Sequence, residues 1–323
     1  MTHSPDPHDH HDHDAGSPDG GAHGGHSHRV SADGDRRYLT LALGLIVGFL
    51  LFEVAVALVA HSLALLADAG HMLTDAAAVA TSLVAADLAA RPPTDRHTFG
   101  LHRAEILSAA GNGFTLLVVA ALVTYEAVRR LIEPPEVHGA ALIVVALVGV
   151  GVNLAATVAL SRANRRSLNV EGAFQHILTD LYAFIGTVVA GAVIVTTGFR
   201  RADPIASLVV VALMIRAAIG LLRPALRILI EATPDDMEIA EVRRHILELP
   251  EVLAVHDLHA WTLTSGAPIL TAHVVVSDDC IAKGEATRVL DHLQACLAGH
   301  FDLEHSTFQL EPGGHADHEP GMH

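Results

Sequence analysis

Six long apolar segments dominate this chain and limit it to one broad class of fold. They lie at approximately 38–60, 63–90, 104–131, 139–161, 172–198 and 204–230. Each reaches the roughly 20 residues that an α-helix needs to cross a bilayer. The first begins too late, and runs on too long, for a cleaved signal peptide. The sequence therefore predicts a polytopic α-helical membrane protein with six transmembrane helices, at residues 38–231, embedded in a lipid bilayer.

The positive charges beside these segments predict their orientation, because arginine and lysine concentrate on the cytoplasmic side of a membrane. With the N-terminus inside, the inner connections hold Arg29, Arg36, Arg37, Arg91, Arg96, Arg103, Arg162, Arg165 and Arg166. The outer side then holds only Arg129, Arg130, Arg200 and Arg201. We therefore expect a multi-pass protein of the cytoplasmic membrane with both termini in the cytoplasm.

The formal net charge of −16 argues against nucleic acid as a partner, because nucleic acid requires a basic surface. Much of the acidity lies in the tails and the C-terminal domain. Residues 1–37 are rich in histidine and aspartate and predict a disordered cytoplasmic segment, either a loose metal-capturing tail or a merely solvated one. A short histidine-containing tail, 313–323, ends the chain.

Residues 232–312 read as a separate cytoplasmic domain. Their pattern is helix, strand, strand, helix, strand, which predicts a small α+β sheet domain of the ferredoxin-like or metallochaperone-like kind. Cys280 and Cys296 lie sixteen residues apart and outside any CxxC spacing, which favours reduced cytosolic thiols over a disulfide or a zinc knuckle.

A His-x-x-x-Asp motif occurs twice within the apolar segments. His71 and Asp75 lie in the second segment, and His176 and Asp180 lie in the fifth. Residues i and i+4 share one helix face about 6 Å apart along the axis, so each pair can present a nitrogen and an oxygen to one point. Together they supply the four N/O ligands of a tetrahedral zinc site.

The depth of the two motifs in the membrane agrees with a shared site. His71 lies roughly 13 Å from the outer end of its segment, and His176 roughly 12 Å from the inner end of an antiparallel one. Both pairs therefore reach the middle of a roughly 30 Å core. The charges of two aspartates and one divalent cation sum to zero, which lowers the free-energy cost of burying them in the membrane. The alternative is two unrelated polar pairs that hydrogen-bond neighbouring helices.

The chain resembles the cation diffusion facilitator family of proton-coupled zinc exporters. The resemblance is carried by "SLALLADAGHMLTD", "HTFGLHRAEILSA", "HILTDLYAFIG", "RADPIASLVVVALMI" and "HDLHAWTLTSG", and it covers nearly everything from Tyr38 to Pro312. It implies that His71, Asp75, His176 and Asp180 form the transport site. Histidine at the first position of both motifs, His71 and His176, is similar to the pattern of the zinc-transporting members. Cobalt and cadmium are alternative substrates. It also implies a homodimer that exports Zn²⁺ while H⁺ enters.

The same resemblance implies further metal sites, and for each of them the residues also have an interpretation without metal binding. In the cytoplasmic domain it implies a regulatory metal at His256, His273 and Glu311, although Gln309 stands where some relatives have a ligand histidine. The alternative is surface histidines on a polar sheet face, with His259 and His305 as outside candidates. A loop site would use His97 and His102, but Leu101 replaces a further histidine of certain relatives, and solvated or capping residues are the alternative.

Three more predictions concern charged residues in or beside the membrane. Glu53 lies in the middle of the first predicted span. It either belongs to an ion or proton path or forms a pair with a group on another helix. Asp68 shares the helix face of His71 and could line the mouth of the site. Arg103 and Glu231 match family positions that form a charged interlock beneath the membrane.

Other functions are weaker fits to these residues. A membrane metalloenzyme needs a general base beside its ligands, as in HExxH, and the sequence contains no such motif. A metal sensor or receptor does not require six spans with ligands at mid-membrane. Within transport, import and passive conduction remain alternatives, because the direction of export is implied by the resemblance alone. We expect no enzymatic activity and no organic cofactor.

Overall fold

The computed structural model describes residues 28–59, 63–133, 139–301, 303 and 305–315. Within these ranges only the backbone is described for residues 28–34, 57, 59, 63–68, 70, 71, 139–142, 145 and 298–300. Most of the histidine-rich N-terminal tail and residues 316–323 of the C-terminal one lie outside the described residues, so the predictions made for the tails stay predictions.

Six long helices form the first part of the molecule: α1 His28–Val59, α2 Leu63–Ala89, α3 Arg103–Ile132, α4 Gly139–Leu160, α5 Leu168–Thr197 and α6 Ala202–Leu229. Five of them contain an apolar stretch of 18 residues or more, and α4 contains the shorter stretch Ala146–Leu160. The predicted polytopic α-helical fold is confirmed. Helix α1 begins at His28, ten residues before the predicted first span.

The helices pack in pairs, with α3 against α6, α4 against α5, and α1 against α2, while α5 contacts both α2 and α3. Small residues allow the close approaches, as is usual between helices in lipid. A Cβ at Gly149 of α4 would lie 2.6 Å from the ring of Phe184 on α5. A Cβ at Gly113 of α3 would lie 2.8 Å from Leu222 on α6. Helix α5 contacts α2, α3, α4 and α6, and it therefore lies at the centre of the bundle.

The C-terminal domain contains α7 Ile239–Leu247, β1 Val252–Thr262, β2 Pro268–Val276, α8 Asp278–Ala282, α9 Ala286–Phe301 and β3 His305–Pro312. The sheet order is β1-β2-β3, with β1 antiparallel and β3 parallel to β2. Helices α7 and α9 cover one core with buried Val242, Leu270 and Leu293. The predicted α+β domain is therefore confirmed.

Two local features of this domain depart from the sequence pattern. The single second helix predicted there is divided into α8 and α9, because Gly284 adopts φ 71°, a left-handed conformation that ends a helix. Strand β1 carries a bulge between His256 and His259, where Asp257 has φ 48°. The bulge turns the side chain of Asp257 into the neighbourhood of the strand histidines.

The C-terminal domain contacts the membrane helices through the turn between β1 and β2. The Ser265 hydroxyl accepts a hydrogen bond from the backbone N–H of Leu168, the first residue of α5, at 3.1 Å. The neighbouring Thr264 hydroxyl lies 3.5 Å from the carbonyl oxygen of His102. Close by, Arg103 and Glu231 form an ion pair at 2.8 Å. The turn therefore rests on the start of the helix that carries one His-x-x-x-Asp motif.

Candidate transport site

Helices α2 and α5 bring three of the four motif side chains together inside the bundle. Ligand atoms of Asp75, His176 and Asp180 all lie within 4.8 Å of one another, and all three residues are buried. The closest contact joins His176 Nε2 to Asp75 Oδ1 at 2.8 Å. Convergence follows from the i, i+4 spacing, which places His176 and Asp180 on the single face of α5 that packs against α2 and α3.

The fourth motif residue, His71, lies one helical turn before Asp75 on α2, but its side chain lies outside the described residues. The same holds for Asp68. The backbone of α2 places His71 on the face that carries Asp75, since four residues make about one turn. The participation of His71 and Asp68 therefore stays a prediction.

Two atoms at the centre of this cluster are buried without a hydrogen bond among the described residues. They are Asp75 Oδ2 and His176 Nδ1. A buried polar atom that lacks a partner costs about 1–3 kcal/mol, so such atoms are rare unless a ligand or ion uses them. Asp75 Oδ2 can bind a cation directly, whereas His176 offers a cation only one of its two ring nitrogens. The buried N/O donor set as a whole fits a divalent cation.

The hydrogen bond between His176 and Asp75 already contains one proton. In the tautomer with hydrogen on Nε2, His176 donates this bond to the Asp75 carboxylate, which only accepts. In a tetrahedral zinc site, the nitrogen and oxygen ligands would lie about 3.3 Å apart, so a cation between Nε2 and Oδ1 would displace this proton and widen the 2.8 Å contact. A neutral imidazole that binds a cation through Nε2 carries its proton on Nδ1, so loss of a proton to solvent on metal binding requires a doubly protonated His176 in the empty site.

A second buried polar cluster lies two helical turns from this site and ties three helices together. Asn169 of α5 donates to the Ser82 carbonyl oxygen at 2.7 Å, and Asn112 of α3 donates to the Ser82 hydroxyl at 2.9 Å. Ser82 is seven residues beyond Asp75, and Asn169 is seven before His176, so both helices reach this cluster on the side of the C-terminal domain. The cluster holds α2, α3 and α5 together between the transport site and that domain.

The cytoplasmic candidates also converge. His256 on β1 and His273 on β2 are register partners, with ring centroids 5.0 Å apart. Glu311 on β3 is 1% exposed, and its carboxylate lies 2.6 Å from His273 Nδ1 and 3.2 Å from His256 Nε2. All three residues offer ligand atoms within 4.8 Å of one another. Two imidazoles and a carboxylate are a zinc-type donor set with room for a fourth ligand.

Sequence reasoning missed one acidic residue at this place. Asp257, on the bulge of β1, lies 2.9 Å from His259 Nε2 and 3.8 Å from His273 Nε2. The hydrogen bond from His259 and the charges of the neighbouring histidines hold the pKa of the Asp257 carboxyl below its usual value. Gln309, where some relatives carry a histidine, donates instead to Glu311 at 2.9 Å. Nothing in the sequence marks the bulge, because Asp257 is not a glycine.

The remaining predicted residues have less defined surroundings. His97 is exposed and His102 half-buried in the connection before α3, and they do not lie in any group of three metal-type ligands among the described residues. Glu53 is buried in α1. Arg103 and Glu231 are paired as described, but both side chains are more than a third exposed, so the pair contributes about 0–1 kcal/mol to stability. The loop site, the Glu53 path and the interlock remain predictions.

Comparison with known proteins finds matches along most of the chain. Residues 39–230 match the cation efflux transmembrane domain, and residues 234–313 match the cation efflux protein cytoplasmic domain. The zinc transporter ZitB of Escherichia coli (strain K12) is 39% identical over 291 residues, which cover 88% of this chain and 91% of that protein.

A second relative matches most of the chain, and one solved structure matches a part of it. A cadmium, cobalt and zinc/H(+)-K(+) antiporter of Bacillus velezensis (strain DSM 23117 / BGSC 10A6 / LMG 26770 / FZB42) is 32% identical and covers 90% of this chain and 93% of its own length. Among solved structures, the metal-bound C-terminal domain of the CzcD transporter from Cuprividus metallidurans is 43% identical, covering 23% of this chain and 99% of that one, with a TM-score of 0.21.

Proposed function

Because the chain belongs to the cation efflux family, we propose that it is a secondary active transporter that exports Zn²⁺ from the cytoplasm in exchange for protons. The observation that carries the proposal is the buried convergence of Asp75, His176 and Asp180 within 4.8 Å. Cobalt and cadmium are alternative substrates, since a related antiporter is named for all three metals. Family membership also makes the protein a transporter rather than a metalloenzyme.

Charge balance explains why a dication would be stable in this site. Asp75 and Asp180 bring two negative charges into the bundle, and Zn²⁺ neutralises both. His176, with His71 as the fourth ligand, completes a neutral tetrahedral set. A set of this kind leaves no open position for a reacting water, which suits transport better than hydrolysis.

Proton exchange would follow from competition for the same atoms. The proton between His176 Nε2 and Asp75 Oδ1 occupies the place that a cation needs. Exposure to a more acidic exterior would protonate His176 on both ring nitrogens and release the metal. Binding of Zn²⁺ on the cytoplasmic side would release one of these two protons and leave the other on Nδ1. The empty, protonated site would then return inward, which completes an alternating-access cycle.

The membrane arrangement belongs to the same proposal. Residues 234–313 match a cytoplasmic domain, which supports a cytoplasmic C-terminus. If all six long helices cross the membrane, the N-terminus is cytoplasmic as well. We place the protein in the cytoplasmic membrane, with a tail at 1–37, a membrane domain at 38–231, a cytoplasmic domain at 232–312 and a short tail at 313–323. The functional unit is a homodimer.

We further propose that His256, His273 and Glu311 bind Zn²⁺ as a regulatory ligand rather than as cargo. Support comes from Glu311, whose buried carboxylate contacts both imidazoles. Asp257 lies close enough to His273 to support or extend this set. The site is on the sheet of the C-terminal domain, remote from the membrane core, so it cannot itself pass ions through the bilayer.

Proteoliposome flux tests the transport proposal directly. Vesicles with an acidic lumen should take up Zn²⁺ and lose luminal protons, whereas a passive channel would conduct zinc without dependence on the pH gradient. The variant Asp180→Ala should abolish this uptake while remaining folded. Zinc uptake that persists in Asp180→Ala would remove the membrane cluster from the mechanism.

A further inference from the structure

A cavity of about 80 Å³ begins at Asp180 and continues between α3, α5 and α6. Its lining includes five polar residues: Thr179, Asp180, Thr187, Asp203 and Ser207. One water needs at least about 10–15 Å³, so the cavity can hold several. The buried cluster is therefore continuous with a partly polar space, and Asp180 is the one predicted site residue among those that line it.

The cavity has a defined direction. Thr187 lies seven residues beyond Asp180 on α5, which carries the lining about 10 Å along the helix axis. Asp203 lies in the first turn of α6, and α6 runs from there to the C-terminal domain. The cavity thus leads from the transport site toward the membrane face opposite that domain.

Asp203 is the charged residue of this cavity beyond the transport site itself. Its side chain is 16% exposed and lies 3.5 Å from Arg130, at the end of α3. Arg130 also binds Glu126 at 2.8 Å through an i, i+4 pair. Glu126 is not among the residues that line the cavity. Arg130 therefore has a second carboxylate available if it leaves Asp203.

We propose that Asp203 is a binding residue on the exit path of the exported cation, released from Arg130 when the dication arrives. This inference rests on the transport function proposed above. A cation leaving Asp180 meets the hydroxyls of Thr179, Thr187 and Ser207, which replace part of its hydration shell, and then a second carboxylate near the outer membrane face. Arg130 keeps its existing ion pair with Glu126, so the outer rim keeps a paired arginine while Asp203 holds the ion.

A purely structural role for Asp203 is the competing explanation. A carboxylate in the first turn of a helix interacts favourably with the helix dipole, and its ion pair with Arg130 joins α3 to α6. That role affects stability in detergent and leaves the turnover of the folded protein unchanged. The two explanations therefore differ in transport rate at constant zinc affinity.

The test uses full-length protein in proteoliposomes, with Asp203→Asn as the variant and Asp87→Asn as the matched control. Both substitutions are nearly isosteric and remove one carboxylate from an ion pair near a helix end, and Asp87 does not line the cavity. Initial zinc flux, equilibrium zinc binding in detergent and thermal stability are measured for each. We expect Asp203→Asn to lower the flux by about tenfold or more with zinc affinity kept within about twofold, and Asp87→Asn to leave both near wild type.

A cavity-filling variant tests the path independently of charge. Ala206 lies on the cavity wall, so Ala206→Leu should reduce flux while zinc binding persists. The inference is overturned if Asp203→Asn transports at the wild-type rate, if it loses zinc binding and flux in equal proportion, or if Asp87→Asn is equally slow. Wild-type protein without proton-coupled zinc flux would instead refute the transport function itself, which separates the two failures.

Discussion

Replacing Asp75 with asparagine should remove the charge balance of the transport site and leave its shape intact. An asparagine side chain has nearly the volume of aspartate and can still contact His176, whose Nε2 lies 2.8 Å from the present carboxylate. The dication would then be bound with one carboxylate instead of two, in a site where the side chains of Asp75 and His176 are each 2% exposed. We therefore expect folded protein that binds zinc poorly.

The size of the effect follows from the burial. Removing one partner of a buried, charge-paired group costs about 3–5 kcal/mol, because the remaining charge is left uncompensated. This corresponds to about a 150- to 5,000-fold loss of zinc affinity. Asp87→Asn on the same helix is the matched control, since Asp87 lies near the helix end, 41% exposed and paired with Arg36. Its loss should cost less than about 1 kcal/mol.

Equilibrium zinc binding by full-length protein measures this difference, and flux into acidic vesicles measures its consequence. Because the cytoplasmic cluster also has zinc-type ligands, both variants are compared in a Glu311→Gln background. An affinity loss of less than about tenfold for Asp75→Asn, or one no larger than that for Asp87→Asn, would contradict the idea that two carboxylates neutralise the cargo.

Three further variants test other parts of the structure. Ser82→Ala removes the hydroxyl that pairs with a buried amide of α3 and should destabilise the detergent-solubilised protein by about 1–3 kcal/mol, measured as a lower melting temperature. Glu311→Gln should abolish zinc binding by the cytoplasmic domain but leave Asp75-dependent binding in place; unchanged total zinc stoichiometry would refute that site. Gly149→Ala should lower thermal stability by about 1–3 kcal/mol, because its Cβ would lie 2.6 Å from Phe184, whereas Gly151→Ala, with nothing within 4 Å, should not.

The convergence of the two His-x-x-x-Asp motifs was predictable because it depends on residue spacing within each helix. An i, i+4 spacing fixes which side chains share a helix face, and the position of each motif within an apolar segment fixes its depth. The two antiparallel motifs therefore meet without any knowledge of loop structure. In the structure Asp75, His176 and Asp180 converge, and their role as ligands stays a prediction.

Other features depend on non-local packing, which residue spacing does not encode. The ion pair between Arg130 and Asp203 joins the end of α3 to the start of α6, two helices separated by about 70 residues of chain. From its sequence position alone, Asp203 resembles any solvated residue at a span end, and many helix ends share that position. The Asp257 bulge is likewise invisible in the sequence, because a non-glycine residue with positive φ has no reliable sequence signal.

The hydrogen bond between Ser265 and Leu168, the first residue of α5, couples the position of the β1–β2 turn to the position of this helix. Any rigid displacement of α5 that opens the ion site toward one face of the bilayer must drag the β1–β2 turn along or break its hydrogen bond to Leu168. If His256 and His273 bind zinc as proposed above, this binding would bias which face is accessible, so that rising zinc in the cell would adjust its own rate of removal.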